Sequence, residues 1–271
     1  MPYTVTEINI FPIKSCAGTS VQSASIGATG FENDRRFMVC DADGKFLTQR
    51  QSSRMALIKP EMLEHNGGIS LRLTAPNMEP FELTAIETGR NIDVEIWGQG
   101  CVAVDQGDEV GQWFTSYLEV KTRLVTMDPA FIRTIDEKYR VSEEDQVSFA
   151  DGYPVLLISQ ASLDDLNSRL AQPILMNRFR PNIVVDGTAP FEEDTWKCVN
   201  IGPVEFSVVK PSSRCVMTTI EQATAQRAVE PLKTLATYRR FEKQILFGEN
   251  LIHRNTGVIR VGDSLKVLAS V

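Results

Sequence analysis

The residues best suited to chemistry lie in one short segment, Lys210-Pro211-Ser212-Ser213-Arg214-Cys215, where a single thiol follows an arginine, two serines and a lysine. Cations beside a thiol favour the thiolate, the form that attacks electrophiles and binds soft metals. Free cysteine is also among the most buried residue types and commonly inert, so residue type alone leaves both readings open. A cysteine–histidine hydrolase would pair Cys215 with His253. The segment His253-Arg254-Asn255 beside Thr256-Gly257 reads instead as an exposed turn, and no third group is at hand to orient the imidazole. His65 is the other histidine, and Cys16, Cys40, Cys101, Cys198 and Cys215 form no C-x-x-C pair. That pattern argues against zinc-finger spacing, a disulfide framework and the plant-type iron–sulfur run.

The elements that must position this segment are mostly strands. Residues 199–209 read as two β-rich runs joined at Gly202-Pro203, and Val216 to Glu221 resumes with β-branched residues, which puts Cys215 at a loop-to-strand edge. Residues 3–13, 35–51, 68–85 and 91–107 alternate apolar and polar positions, with Asp41-Ala42-Asp43-Gly44 as a hairpin turn. That spacing suits a barrel or sandwich. The period then changes. Val110, Trp113, Phe114 and Tyr117 share a helical face behind Asp108 as N-cap, and residues 159–171 form a second helix capped by Ser159 or Ser162. Residues 121–127 read as a strand and 136–146 as an exposed charged loop. Arg178 and Arg180 precede a strand that Gly187 ends, a third helix opens at Glu230-Pro231 through PLKTLATYRRFEK, and residues 257–270 read as a closing hairpin.

The 271 residues allow one large domain or two smaller ones, and their composition is that of an ordinary globular chain. A net charge of -7, from 28 basic and 35 acidic side chains, gives no support to a nucleic-acid partner. No window approaches the ~20 apolar residues needed to cross a bilayer, so no membrane role is expected. The N-terminus lacks the basic and apolar regions of a signal peptide, and the chain reads as cytoplasmic.

In order, FPIKSC (11–16), DRRF (34–37), LISQASLDDLNSRL (157–170), RFRPNIVVDG (178–187), EDTW (193–196), IGPVEF (201–206), Ser213-Arg214-Cys215 and GVIRVGD (257–263) make the chain similar to the MOSC family. The family is named for the C-terminal domain of molybdenum cofactor sulfurase. The resemblance is to the branch containing the amidoxime-reducing components. It implies a mainly β fold with a few helices (α+β): a β-rich N-terminal domain, 1–120, packed on a barrel-like MOSC domain, 121–271. It also implies the molybdenum cofactor, a pyranopterin whose metal is held by Cys215. Lys14, Ser15, Arg35, Arg180, Asn182, Ser213 and Arg214 fall on the family's cofactor-binding positions.

The residues themselves support that reading, because guanidinium groups bind phosphate through bidentate, charge-assisted hydrogen bonds. Arg178, Arg180, Lys210 and Arg214 cluster in sequence around the thiol, although surface ion pairing is the alternative fate of such charges. Lys14 on its own reads as an exposed strand end, Cys16 as a packed thiol and Trp196 as core. The implied reaction is reduction of N-hydroxylated or N-oxide compounds, with electrons from a separate donor, either ferredoxin-like or a cytochrome with its reductase. The chain is expected to lack the C-terminal ferredoxin domain of some relatives. The pyridoxal-phosphate domain of the sulfurase has no room in it. The reading from another class is a non-catalytic carrier of the cofactor, or of sulfur on Cys215.

Overall fold

Period-2 alternation of apolar residues closes seven strands into a barrel. The computed structural model describes residues 2–63 and 68–270, and His65 lies outside them. In spatial order the barrel strands are Val155–Ser159, Ile183–Asp186, Tyr3–Ile10, Ser264–Ser270, Trp196–Ile201, Val204–Ser213 and Gln244–His253. The last pairs with the first to complete the ring. Val155–Ser159 and Ile183–Asp186 run parallel, and the helix Gln160–Ser168 supplies the crossover that a parallel pair requires. Ser159 caps that helix, its side chain accepting from the Ser162 N–H at 3.1 Å. The pleat sorts the side chains. Val155, Leu157, Ile183, Val185, Phe206 and Leu251 fill the barrel, whereas Ile158 and Val184 face outward under Leu163 and Leu166. The barrel takes strands from both sides of residue 120, since Tyr3–Ile10 pairs with Ile183–Asp186 and Ser264–Ser270.

A four-stranded sheet joins Thr122–Met127 to the N-terminal strands Phe37–Asp41, Gln99–Asp105 and Asn91–Ile96, and a three-stranded one is built from Lys59–Leu63, Ser70–Thr74 and Phe81–Thr84. Phe37–Asp41 is buried on both faces: Phe37 and Val39 pack with Val110 and Phe114 of the helix Asp108–Leu118, and Met38 and Cys40 with Val94 and Val125. The molecule is thus mainly β with few helices, as the pattern predicts.

Four local expectations need correction. Val216–Thr219 is a 3-10 turn, not a strand, because the Thr218 and Thr219 hydroxyls donate back to the Cys215 and Val216 carbonyls and offer the backbone a local alternative. The closing hairpin does not form. Gly257–Arg260 pairs with Ser23–Gly27, and Ser264–Ser270 with Trp196–Ile201, because Val5 takes the Gly262 and Asp263 backbone groups between them. The third helix spans Leu232–Tyr238 only, since Arg239 turns inward to Asp194 and Arg240–Phe241 becomes a short strand. Asp108 is the first helical residue behind Gly107 and pairs with Arg123 at 2.5 Å.

Candidate cofactor-binding site

Cys215 follows the strand Val204–Ser213 and caps the 3-10 turn, where the Thr218 N–H and hydroxyl both donate to its carbonyl. It lines a cavity of about 410 Å³ between the barrel and the N-terminal sheets. Lys14, Ser15, Arg35, Arg180, Asn182, Ser213 and Arg214 line the same cavity, so residues more than 160 positions apart share one space.

Each is positioned by a definable contact. Lys14 is not an exposed strand end; it is buried, donates to the Phe149 carbonyl at 2.9 Å and pairs with Asp151. Burial pushes its ammonium down, the Asp151 charge opposes this, and Arg133 and Arg35 add to the depression. Arg35 and Arg180 hold their guanidinium groups 4.2 Å from the centre of the Phe11 ring, and Arg180 Nη1 donates to the Cys16 carbonyl at 2.6 Å. Burial, with Arg35 close by, pushes Arg180 down to about 9. Arg214 donates to Ser212 Oγ at 2.9 Å and to the Phe179 carbonyl at 2.8 Å, and burial pushes it down to about 10. Ser15, Arg35 and Arg180 have left-handed backbone, with φ of 66°, 47° and 56°, conformations that non-glycine residues keep where the surroundings over-determine them. Asn182 ties strands together, donating to the Asn9 carbonyl and accepting from the Leu156 N–H. Cys16 is fully buried and its thiol is pushed up to about 12, as a packed cysteine should be. Trp196 is core, and His253 does not line the cavity.

Sequence reasoning missed Arg50 and Asp151. Arg50 Nη2 donates to Cys215 Sγ at 3.1 Å from the far half of the chain. The available signal was an arginine with no acidic residue within four positions, hence no local ion-pair partner. Asp151 stands at the mouth with its side chain 65% exposed. Desolvation raises its carboxyl, but Lys14, the Trp97 indole N–H and Arg50 outweigh that and hold it well below the usual carboxylate range. A second cavity of about 510 Å³ adjoins, sharing Asp151, Gly152, Tyr153 and Lys210 with the first.

The cavity is cationic in an acidic protein. Among the described residues, Arg50, Arg180, Lys210 and Arg214 line it without any carboxylate within ion-pair distance; Arg178 pairs with Glu221. The buried Nε atoms of Arg178 and Arg214 have no hydrogen-bond partner. Orphaned donors and uncompensated charge around one thiol fit an anionic ligand with a soft metal.

Residues 2–121 match the MOSC N-terminal beta barrel domain and residues 144–266 the MOSC domain. The chain is 39% identical to mitochondrial amidoxime reducing component 2 of Rattus norvegicus, covering 96% of this chain and 82% of that protein. The chain belongs to the MOSC family. Among other MOSC proteins, mitochondrial amidoxime-reducing component 1 of Homo sapiens is 34% identical, covering 98% of this chain and 83% of that protein. Component 2 of Bos taurus is 37% identical over 96% of this chain.

Proposed function

We propose that this MOSC protein is a molybdenum-cofactor-dependent oxidoreductase that reduces N-hydroxylated and N-oxide compounds with electrons from a separate protein. The observation that carries the reading is the convergence of Cys215 with arginines that have no carboxylate partner in one cavity. The names of the relatives, which are amidoxime-reducing components, agree with it.

Cys215 would be the protein's ligand to the metal, a soft thiolate for a soft site. Arg180, Arg35 and Arg214 would hold the anionic pterin and its phosphate, the planar guanidinium fork matching phosphate oxygens. Lys14 and Ser15 would bind from the N-terminal side, with Ser213 and Asn182 completing the polar lining. When bound, the metal–pterin group supplies the two-electron redox couple for removing oxygen from nitrogen. The chain's own contribution is charge and orientation. Arginines already stacked on Phe11, or tied to the Cys16 and Phe179 carbonyls, need little rearrangement to meet an anion. The adjoining cavity provides space for a small substrate beside Asp151 and Lys210.

The test is metal analysis of protein made in a cofactor-producing host. Wild type should carry about one molybdenum per chain, the stoichiometry of one thiolate ligand per site, and Cys215→Ser should lose it, whereas Cys40→Ser and Cys101→Ser, whose thiols are packed in the N-terminal core, should not. Wild-type protein without molybdenum but with persulfide on Cys215 would instead establish the sulfur-carrier function.

A further inference from the structure

Trp97 is an unusual residue for its position. It occupies the turn between the strands Asn91–Ile96 and Gln99–Asp105, is 47% exposed, and has a left-handed φ of 54° in place of the glycine or asparagine such turns prefer. Two of the residues it touches, Arg50 and Asp151, line the cavity. The Arg50 guanidinium sits 4.7 Å from the indole centre, and the indole N–H donates to Asp151 Oδ1 at 3.1 Å. Phe46 packs on the same indole with 4.9 Å between ring centres. Arg50 in turn reaches Cys215 Sγ at 3.1 Å, and its backbone carbonyl accepts from Arg227 at 2.8 Å.

We infer that Arg50 and Trp97 are positioning residues for Cys215: Arg50 orients the sulfur, and the Trp97 indole holds Arg50 in place. The inference rests on the reading of Cys215 as the metal ligand, yet the contact itself is a property of the protein alone. An arginine side chain has roughly 2 kcal/mol of rotamer freedom, so a single N–H to sulfur contact would not keep it aimed. A planar ring against the guanidinium face restricts that freedom and leaves the N–H edge pointing at the thiol. The second indole contact, to Asp151, fixes the ring and couples it to Lys14. The N-terminal hairpin thereby reaches the thiol of the C-terminal half without touching it.

The experiment compares wild type, Arg50→Met, Trp97→Ala and Trp97→Phe as full chains from a host unable to make the cofactor. Iodoacetamide alkylation at one fixed pH is followed by mass spectrometry, with Cys198, which does not line the cavity, as internal reference. Losing the hydrogen bond that aims the sulfur into the cavity corresponds to roughly tenfold, so the Cys215-to-Cys198 rate ratio should fall about tenfold in Arg50→Met. It should fall in the same direction in Trp97→Ala and stay near wild type in Trp97→Phe, which keeps a ring for Arg50. A purely structural role would instead loosen the cavity and raise the ratio. An unchanged or raised ratio in Arg50→Met overturns the inference for Arg50. Equal behaviour of Trp97→Phe and Trp97→Ala overturns it for the indole. Molybdenum measured on the same chains from a competent host separates the two readings. Its absence from wild type defeats the metal-ligand function while the alkylation ratio still reports on the contact.

Discussion

Arg180 is 9% exposed, bonded to a carbonyl and a ring, with no carboxylate in contact among the described residues. Its folded-state value of about 9 lies below the usual 12.5, so between those values the unfolded chain binds more protons than the folded one. Stability therefore rises with pH across that window, and at neutral pH the protonated guanidinium carries the full cost of its burial. An anion in the cavity offsets that cost. Orthophosphate should raise the melting temperature of cofactor-free protein by about 2–4 °C over chloride at matched ionic strength, the shift expected for about 1 kcal/mol in a chain of this size. Arg180→Gln should remove most of that increment. Differential scanning fluorimetry checks both, and equal effects of phosphate and chloride on wild type would count against an anion site.

At the scale of elements, the strand Gln244–His253 carries a separate pH response. Glu249 is 2% exposed, its Oε1 has no partner, and burial with Asp194 and Glu193 nearby pushes its carboxyl up to about 9. Glu193 already accepts from Ser159 and Ser162, which locks the turn Glu192–Thr195 against the capped helix. The folded chain thus keeps the Glu249 proton across a range in which the unfolded chain, titrating near 4.5, has lost it. This contribution is fully present below about 4.5 and is lost as pH rises toward about 9. Glu249→Gln keeps the shape and removes the charge, so it should stabilise the protein by about 1 kcal/mol or more at pH 8 and flatten the decline between pH 5 and 9. Melting curves across that range decide it, and an unchanged slope would mean that Glu249 is ionised in the fold.

For the whole molecule, the barrel wall includes Tyr3–Ile10, with Val5 and Ile8 in its core. A chain of residues 121–271 alone would leave Ile183–Asp186 and Ser264–Ser270 with open edges and an uncovered core. It should show no cooperative melt by circular dichroism, whereas adding residues 1–120 in trans should restore one if the halves associate. The whole chain also bears on electron supply. Its cysteines have no iron–sulfur spacing and it lacks a G-x-G-x-x-G fingerprint. Under the proposed function, NADH with this chain alone should give no benzamidoxime reduction, while a reduced viologen dye should; turnover with NADH alone would refute the requirement for a separate donor.

The sequence by itself determined what depends on local pattern: the alternating strands, the Gly202-Pro203 turn, the Ser159 cap and the cationic neighbourhood of Cys215. These are legible because side-chain period, turn chemistry and capping act within a few residues. Tertiary structure alone decided which strands pair, so the predicted hairpin of residues 257–270 separates to receive Tyr3–Ile10, an outcome no local period encodes. It also decided which distant side chains face the thiol. Lys14, an ordinary lysine in sequence, becomes a buried partner of Asp151, and Arg50 reaches Cys215 only because the packing of the N-terminal sheets on the barrel brings residues 165 positions apart within hydrogen-bond distance.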